Sequence, residues 1–240
     1  MTVAHAVHAA RIDAGIGFEW DRLPAAATNV SGVDPAAADV VFRREGASHA
    51  GLHRCTAIRR LWASQVDAAF LDEIAAMPAL ETLSLERVTA TDLQPLARLQ
   101  QLRRLVVRDA TRIGDLEWTR ALALESLALE NLRSVHSLES LADQRGLRAL
   151  GVEGAMWTSM RVRSLEPLRD LERLEYLFLT NLRVHDGSLH PLHGLRRLRF
   201  LQCARYYTQG EFTELAASRP ELRGNWLQWA AARPETNTAQ

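Results

Sequence analysis

Apolar residues recur along most of this chain as a six-residue phrase, with leucine or a close substitute at its first, fourth and sixth places. The phrase reads LETLSL from Leu80, LRRLVV from Leu102, LESLAL from Leu124, LRALGV from Leu147, LEYLFL from Leu174 and LRFLQC from Leu198. An imperfect copy, IRRLWA, begins at Ile58, and a truncated LRG begins at Leu222. Successive starts lie 22, 22, 22, 23, 27, 24 and 24 residues apart, a spacing of the kind that repeat architectures use. The fourth and sixth places lie two residues apart, so they point to one side of a short strand entering from a turn.

A second pattern fills the gaps. Leu93, Leu96 and Leu99 step toward Leu102; Leu165, Leu168 and Leu171 toward Leu174; Leu189, Leu192 and Leu195 toward Leu198. Leu71, Ile74 and Met77 do the same before Leu80. A step of three predicts a 3-10 or short helical return with one buried edge. Pro95, Pro167 and Pro191 sit early in these returns, where a first helical turn has no need of the missing amide donor. Each unit is therefore strand, turn and return, and its leucines are buried only by stacking on its neighbours.

These phrases resemble those of leucine-rich repeat proteins, with units similar to the short class of about 22 residues found in bacterial proteins and protein-phosphatase regulators. The resemblance spans residues 58 to 224. It implies an α/β fold: a right-handed leucine-rich-repeat solenoid, in which a curved parallel β-sheet is backed by short helical or 3-10 returns. One departure stands out. The asparagine usual three places after the sixth position is replaced by Val66, Val88, Ala110, Leu132, Ala155, Leu182 and Tyr206, so apolar packing is expected where an asparagine ladder would run. Asn131 and Asn181 sit one place earlier and can cap turns locally.

The ends do not repeat. Residues 1–57 read as an N-terminal cap, with Phe18, Trp20, Leu23 and Val40 to Phe42 as candidates for covering the first unit; the alternative is a partly disordered tail to about residue 15. Residues 58–226 form the repeat domain, and 227–240 a polar tail. Residues 210–218 read as a short helix before Pro220, with Trp226 and Trp229 placed to cover the last leucines. The longest unit, 147–173, carries its extra residues around GAMWTSMRV, and such insertions commonly form loops at a binding face.

The strand register fixes which side chains are available. Third, fifth and seventh places face the concave surface. Small residues occupy the middle of these columns, whereas Tyr176, Phe178 and Phe200 make the C-terminal part aromatic, with Trp157, Tyr206 and Tyr207 near its rim. Large rigid rings are efficient contact groups, so these six are the candidate protein-binding residues. A covering loop around Met156 to Met160 would instead turn the rings into an internal cluster. The second places alternate in sign through Arg59, Glu81, Arg103, Glu125, Arg148, Glu175 and Arg199 before Arg223, a register-setting ladder in which neighbouring charges cancel.

Composition narrows the function further. Twenty-nine basic residues, all arginine, balance 29 acidic ones, which excludes a global field drawing the chain to nucleic acid or anionic lipid. Two cysteines, Cys55 and Cys203, exclude a disulfide-rich scaffold, and Cys203 fills a sixth-place core position. No secretion leader or membrane span is legible, which predicts a cytoplasmic protein. His185, His190 and His193 with Asp186 match no strong zinc spacing, and Gly15-x-Gly17 lacks the strand and the complete phrase of a phosphate loop. No catalytic residue, metal or other cofactor is assigned. The expected function is a non-catalytic module, favoured as a monomer, that offers its concave surface to an unidentified protein partner, with no nucleic-acid or membrane partner. The alternatives are an enzymatic or effector activity in the N-terminal segment, or a structural, self-associating role.

Overall fold

The computed structural model describes residues 3–227. Trp229 and the polar run from 228 to 240 lie outside the described residues, as does the side chain of Trp20. Eleven strands, numbered in chain order, are β1 (Asp39–Arg43), β2 (Arg60–Ser64), β3 (Thr82–Glu86), β4 (Arg104–Arg108), β5 (Ser126–Glu130), β6 (Ala149–Glu153), β7 (Met160–Val162), β8 (Tyr176–Leu179), β9 (Leu182–Val184), β10 (Phe200–Cys203) and β11 (Arg223–Gly224). Nine of them form one parallel sheet in the order β1-β2-β3-β4-β5-β6-β8-β10-β11, and β7 pairs with β9 beside it. Helices α1 (Val3–Asp13), α2 (Ala68–Ala75) and α3 (Gln209–Ser218) complete the regular elements, together with short 3-10 turns.

The register follows the leucine phrases: Leu61, Leu83, Leu105, Leu127, Leu150, Leu177 and Leu201 stand opposite one another from strand to strand. All seven are essentially solvent-free and belong to one continuous core with the first- and sixth-place residues. The returns close that core. The first is α2, whose N-cap Asp67 accepts a hydrogen bond from the Phe70 amide. Later returns are 3-10 turns, with Pro95, Pro167 and Pro191 in their first turn.

Each strand must then turn toward its return. At the eighth place Gln65, Arg87, Asp109, Asn131 and Asn181 adopt positive φ between 54° and 62°, the left-handed region that asparagine tolerates best. Amides at this place continue the ladder, as in Asn131 N–H to the Glu153 carbonyl at 2.9 Å. At the ninth place Val66, Val88, Ala110, Leu132 and Leu182 are buried, so apolar packing does replace an asparagine ladder there, whereas Tyr206 is exposed.

The sheet starts earlier than the leucine phrases do. β1 pairs with β2 from Asp39 opposite Arg60 to Arg43 opposite Ser64, and its Val40 and Phe42 enter the core. The extra residues of the long unit run into β7, whose Met160 and Val162 are buried in the same core while Met156 and Trp157 stand in solvent. At the C-terminal end Trp226 is partly buried against the core, and the Arg219 guanidinium donates to the carbonyls of Leu195, Arg196 and Leu198.

The second-place column is joined along its backbone by amide-to-carbonyl bonds of 2.8–2.9 Å from Arg59 to Arg223. Among the described residues, its side chains form ion pairs only at Glu175, which bridges Arg148 and Arg199. Its charges therefore decorate a register that the backbone and the leucines already hold. Replacing buried Leu127 by alanine should lower stability by ~2–5 kcal/mol. Replacing exposed Glu125 by alanine should cost about 0–1 kcal/mol. Equilibrium urea unfolding of the two variants measures both values, and a larger loss at Glu125 would contradict this register.

Candidate functional site

The side of the sheet opposite the leucine core carries a second, separate apolar cluster. Val106, Ala128, Ala149, Tyr176 and Phe178 supply it from the strands, and Ala14, Ile16 and Phe18 from the chain that follows α1. This N-terminal stretch crosses the strands from the β8 side toward β2. Small side chains at Ser126, Ala128 and Ala149, with Gly151, leave a channel between the rings of Tyr176 and Phe178 and that of Trp62. Ile16 and Phe18 are buried there, and Phe18 meets Trp62 edge-on with centroids 5.9 Å apart.

Polar contacts fix the crossing at defined points. Arg11 pairs with Glu153 and lies 4.9 Å above the Phe178 ring. The Tyr176 hydroxyl donates to the Asp13 carboxylate. Ser126 Oγ donates to the Ala14 carbonyl at 2.7 Å. The two glycines that suggest a fragment of a phosphate loop instead reverse the chain. Gly15 takes φ of 71° at the end of α1, and a Cβ on Gly17 would fall 2.9 Å from the Arg11 backbone. A helix-stop glycine beyond an alanine-rich run was the available sequence signal for this turn. The partnership of Arg11, Asp13 and Ile16 with distant strands had no such signal.

The candidate rings thus fall into four environments. Tyr176 and Phe178 are buried beneath residues 10–18, and neither the solvent nor the loop around Met156 to Met160 covers them. Phe200 is half-buried beside Phe178, with centroids 5.6 Å apart. Trp157 is 91% exposed and Met156 82%, on the same rim as Tyr206. There the Tyr206 hydroxyl donates to Asn181 Oδ1, Asn181 Nδ2 donates to the Ala155 carbonyl, and Arg183 stacks 4.1 Å from the Tyr206 ring. Tyr207 faces the other way: it is buried in the leucine core, edge-on to Phe212, because this unit buries its tenth place where units such as those of Val66 and Leu132 bury their ninth.

Comparison with solved structures identifies this architecture. An internalin C2 from Listeria monocytogenes superposes with a TM-score of 0.58 at 20% identity, covering 75% of this chain and 76% of that one. An internalin (inlF) of the same organism gives 0.53 at 20% identity, covering 77% and 59% respectively. By fold, the chain is a leucine-rich repeat protein. No family model and no curated protein matches the sequence.

Within this leucine-rich repeat, the remaining chemical candidates are accounted for by packing. His190 and His193 lie 5.1 Å apart, centroid to centroid, and burial and His190 together hold the His193 imidazole below its ordinary value. Among the described residues, no group of three or more histidines, cysteines or carboxylates is placed to hold a metal ion. No helix among them is long and apolar enough to cross a membrane. Both cysteines are free and buried, and burial pushes the Cys203 thiol up to about 12. Native protein should therefore leave Cys203 unmodified by iodoacetamide at mildly alkaline pH, and mass spectrometry should find it alkylated only after denaturation.

Glu153 is the least ordinary ionisable group of the site. Burial pushes its carboxyl above the ordinary 4.5, against the opposing effects of Arg11, Thr180 and Arg108, while Glu130 reinforces the rise. A raised folded-state value favours folding while the group is protonated and is lost as pH climbs from 4.5 through that value. Glu153→Gln should remove this decline. Urea midpoints of the two proteins, measured in mild acid and at neutral pH, should shift in favour of the variant as pH rises.

Proposed function

We propose that this protein is a non-catalytic protein-interaction module that meets a protein partner through the second face of its sheet, the concave one in such a solenoid, and through the adjoining rim. The observation that carries the reading is the rim itself. Met156 and Trp157 project almost fully into solvent beside Tyr206, although the sequence around them supplies buried residues such as Met160 at the next opportunity. A large ring held in water at a loop tip is a contact group of the kind that dominates protein interfaces. Phe200 extends this surface toward the second face, and Tyr176 and Phe178 join it when residues 10–18 are moved aside. Arg11 and Asp13, the N-terminal groups best placed for chemistry, are engaged with Glu153 and Tyr176, which favours a binding role over an enzymatic one. Two free, buried thiols suit a reducing cytoplasm.

Replacing Met156 and Trp157 together by serine should leave the circular dichroism and the urea midpoint unchanged, because neither side chain is packed. The same change should weaken capture of the native partner by roughly tenfold or more, the usual effect of removing a central anchor. Comparative pull-down followed by calorimetry on the recovered protein measures this, with His190→Ala/His193→Ala as the control that retains binding. Undiminished affinity in the folded double variant would remove the rim from the interface.

A further inference from the structure

The stretch from α1 to Phe18 is attached to the sheet through its side chains. Each strand is held by backbone hydrogen bonds to its neighbours, whereas the amides of Ala14 to Gly17 all donate back to the carbonyls of Ala10, Arg11 and Ile12. What binds it to the sheet is side-chain chemistry: Ile16 and Phe18 in the channel, Arg11 at Glu153, Asp13 at Tyr176 and the Ser126 hydroxyl on a carbonyl. The apolar cluster so formed is separate from the leucine core. The connection onward is exposed at Pro24, Ala25 and Ala26, and a cleft of about 840 Å³ already opens between α1 and strands β8, β10 and β11. These are the attributes of a peptide seated in a groove that is joined to its receptor by a linker.

We propose that the second face is a peptide-binding groove occupied by the chain's own residues 3–18, and that a protein partner binds by seating a segment of the same chemistry in their place. That chemistry is specific: a short helix whose last turn carries a cation for Glu153, then a left-handed turn, then an aliphatic and an aromatic residue spaced as Ile16 and Phe18 are. The inference rests on the interaction-module reading for the existence of a partner, but not for the existence of the groove. Residues 3–18 then act as a competitive guard, because the same site cannot hold both segments.

The test uses the full chain with a protease site introduced at Pro24–Ala26, cut only after folding. A fluorescently labelled synthetic peptide of residues 3–20 is the probe, and anisotropy is the readout. Cut protein should take up the peptide saturably by exchange, and intact protein should not, because its tethered copy holds the site at high effective concentration. A peptide with Ile16→Ser and Phe18→Ser should bind roughly tenfold more weakly or worse, since it lacks both anchors. Native-state hydrogen exchange on the uncut chain gives an independent measurement: α1 amides should exchange well before those of β4 to β6. If the cut segment is released only when the leucine core unfolds, or if intact protein takes up the peptide equally well, the proposal is overturned. Exchange of the peptide with no protein captured by the cut chain from native extract would sink the interaction reading and leave the groove standing. Capture without exchange would do the reverse.

Discussion

A single repeat of this protein cannot bury its leucines by itself. Leu127 is covered only because Leu105 and Leu150 stand beside it on neighbouring strands and a return closes over all three. This dependence on the next unit sets the rest of the structure. It forces the parallel register, because leucines must stay level from strand to strand. It demands a sharp turn at the end of each strand, met by left-handed backbone at residues such as Asp109 and Asn131. It also leaves both ends of the stack with leucines facing nothing, which β1 covers on one side and α3 with Arg219 on the other.

With one face committed to leucine, alternation hands the other face to whatever the third, fifth and seventh places carry. Here part of that face, from Val106 to Phe178, became a second buried surface. The strands provide small residues at their centre and rings toward the C-terminal end, and the chain's own start lies in the channel between them. The arrangement divides labour physically. The leucine side holds the stack together, and truncation there opens cavities, whereas the other side carries side chains that the stack does not need.

What could be read from the sequence was whatever repeats or alternates. The strand phrases, the three-residue returns with their prolines and the burial of Cys203 all follow from spacing within one unit and its neighbours. β1 was less legible because DVVFR alternates without the leucine spacing, and its pairing with β2 depends on geometry rather than on a phrase. The rings of Tyr176 and Phe178 were assigned to the correct face, yet their cover was not legible. The nearest insertion in sequence suggested itself, but Met160 and Val162 were drawn into the leucine core by pairing with β9. The true cover lies 163 residues away along the chain, at Asp13, and a single non-repeating segment leaves no periodic trace of what it touches.

That separation has a consequence for the order in which the molecule is made. The segment that occupies the second face is synthesised before the strands it covers, and Tyr176, against which Asp13 rests, emerges 163 residues after it. Leucine units can stack as they appear, each on its predecessor, while residues 3–18 wait for a seat that does not yet exist. Its composition suits the wait. α1 is rich in alanine and histidine, with Val7 and Ile12 among its apolar residues, and Ile16 and Phe18 follow it. Seating of residues 10–18 therefore requires the strands up to Tyr176 and Phe178 to be in place.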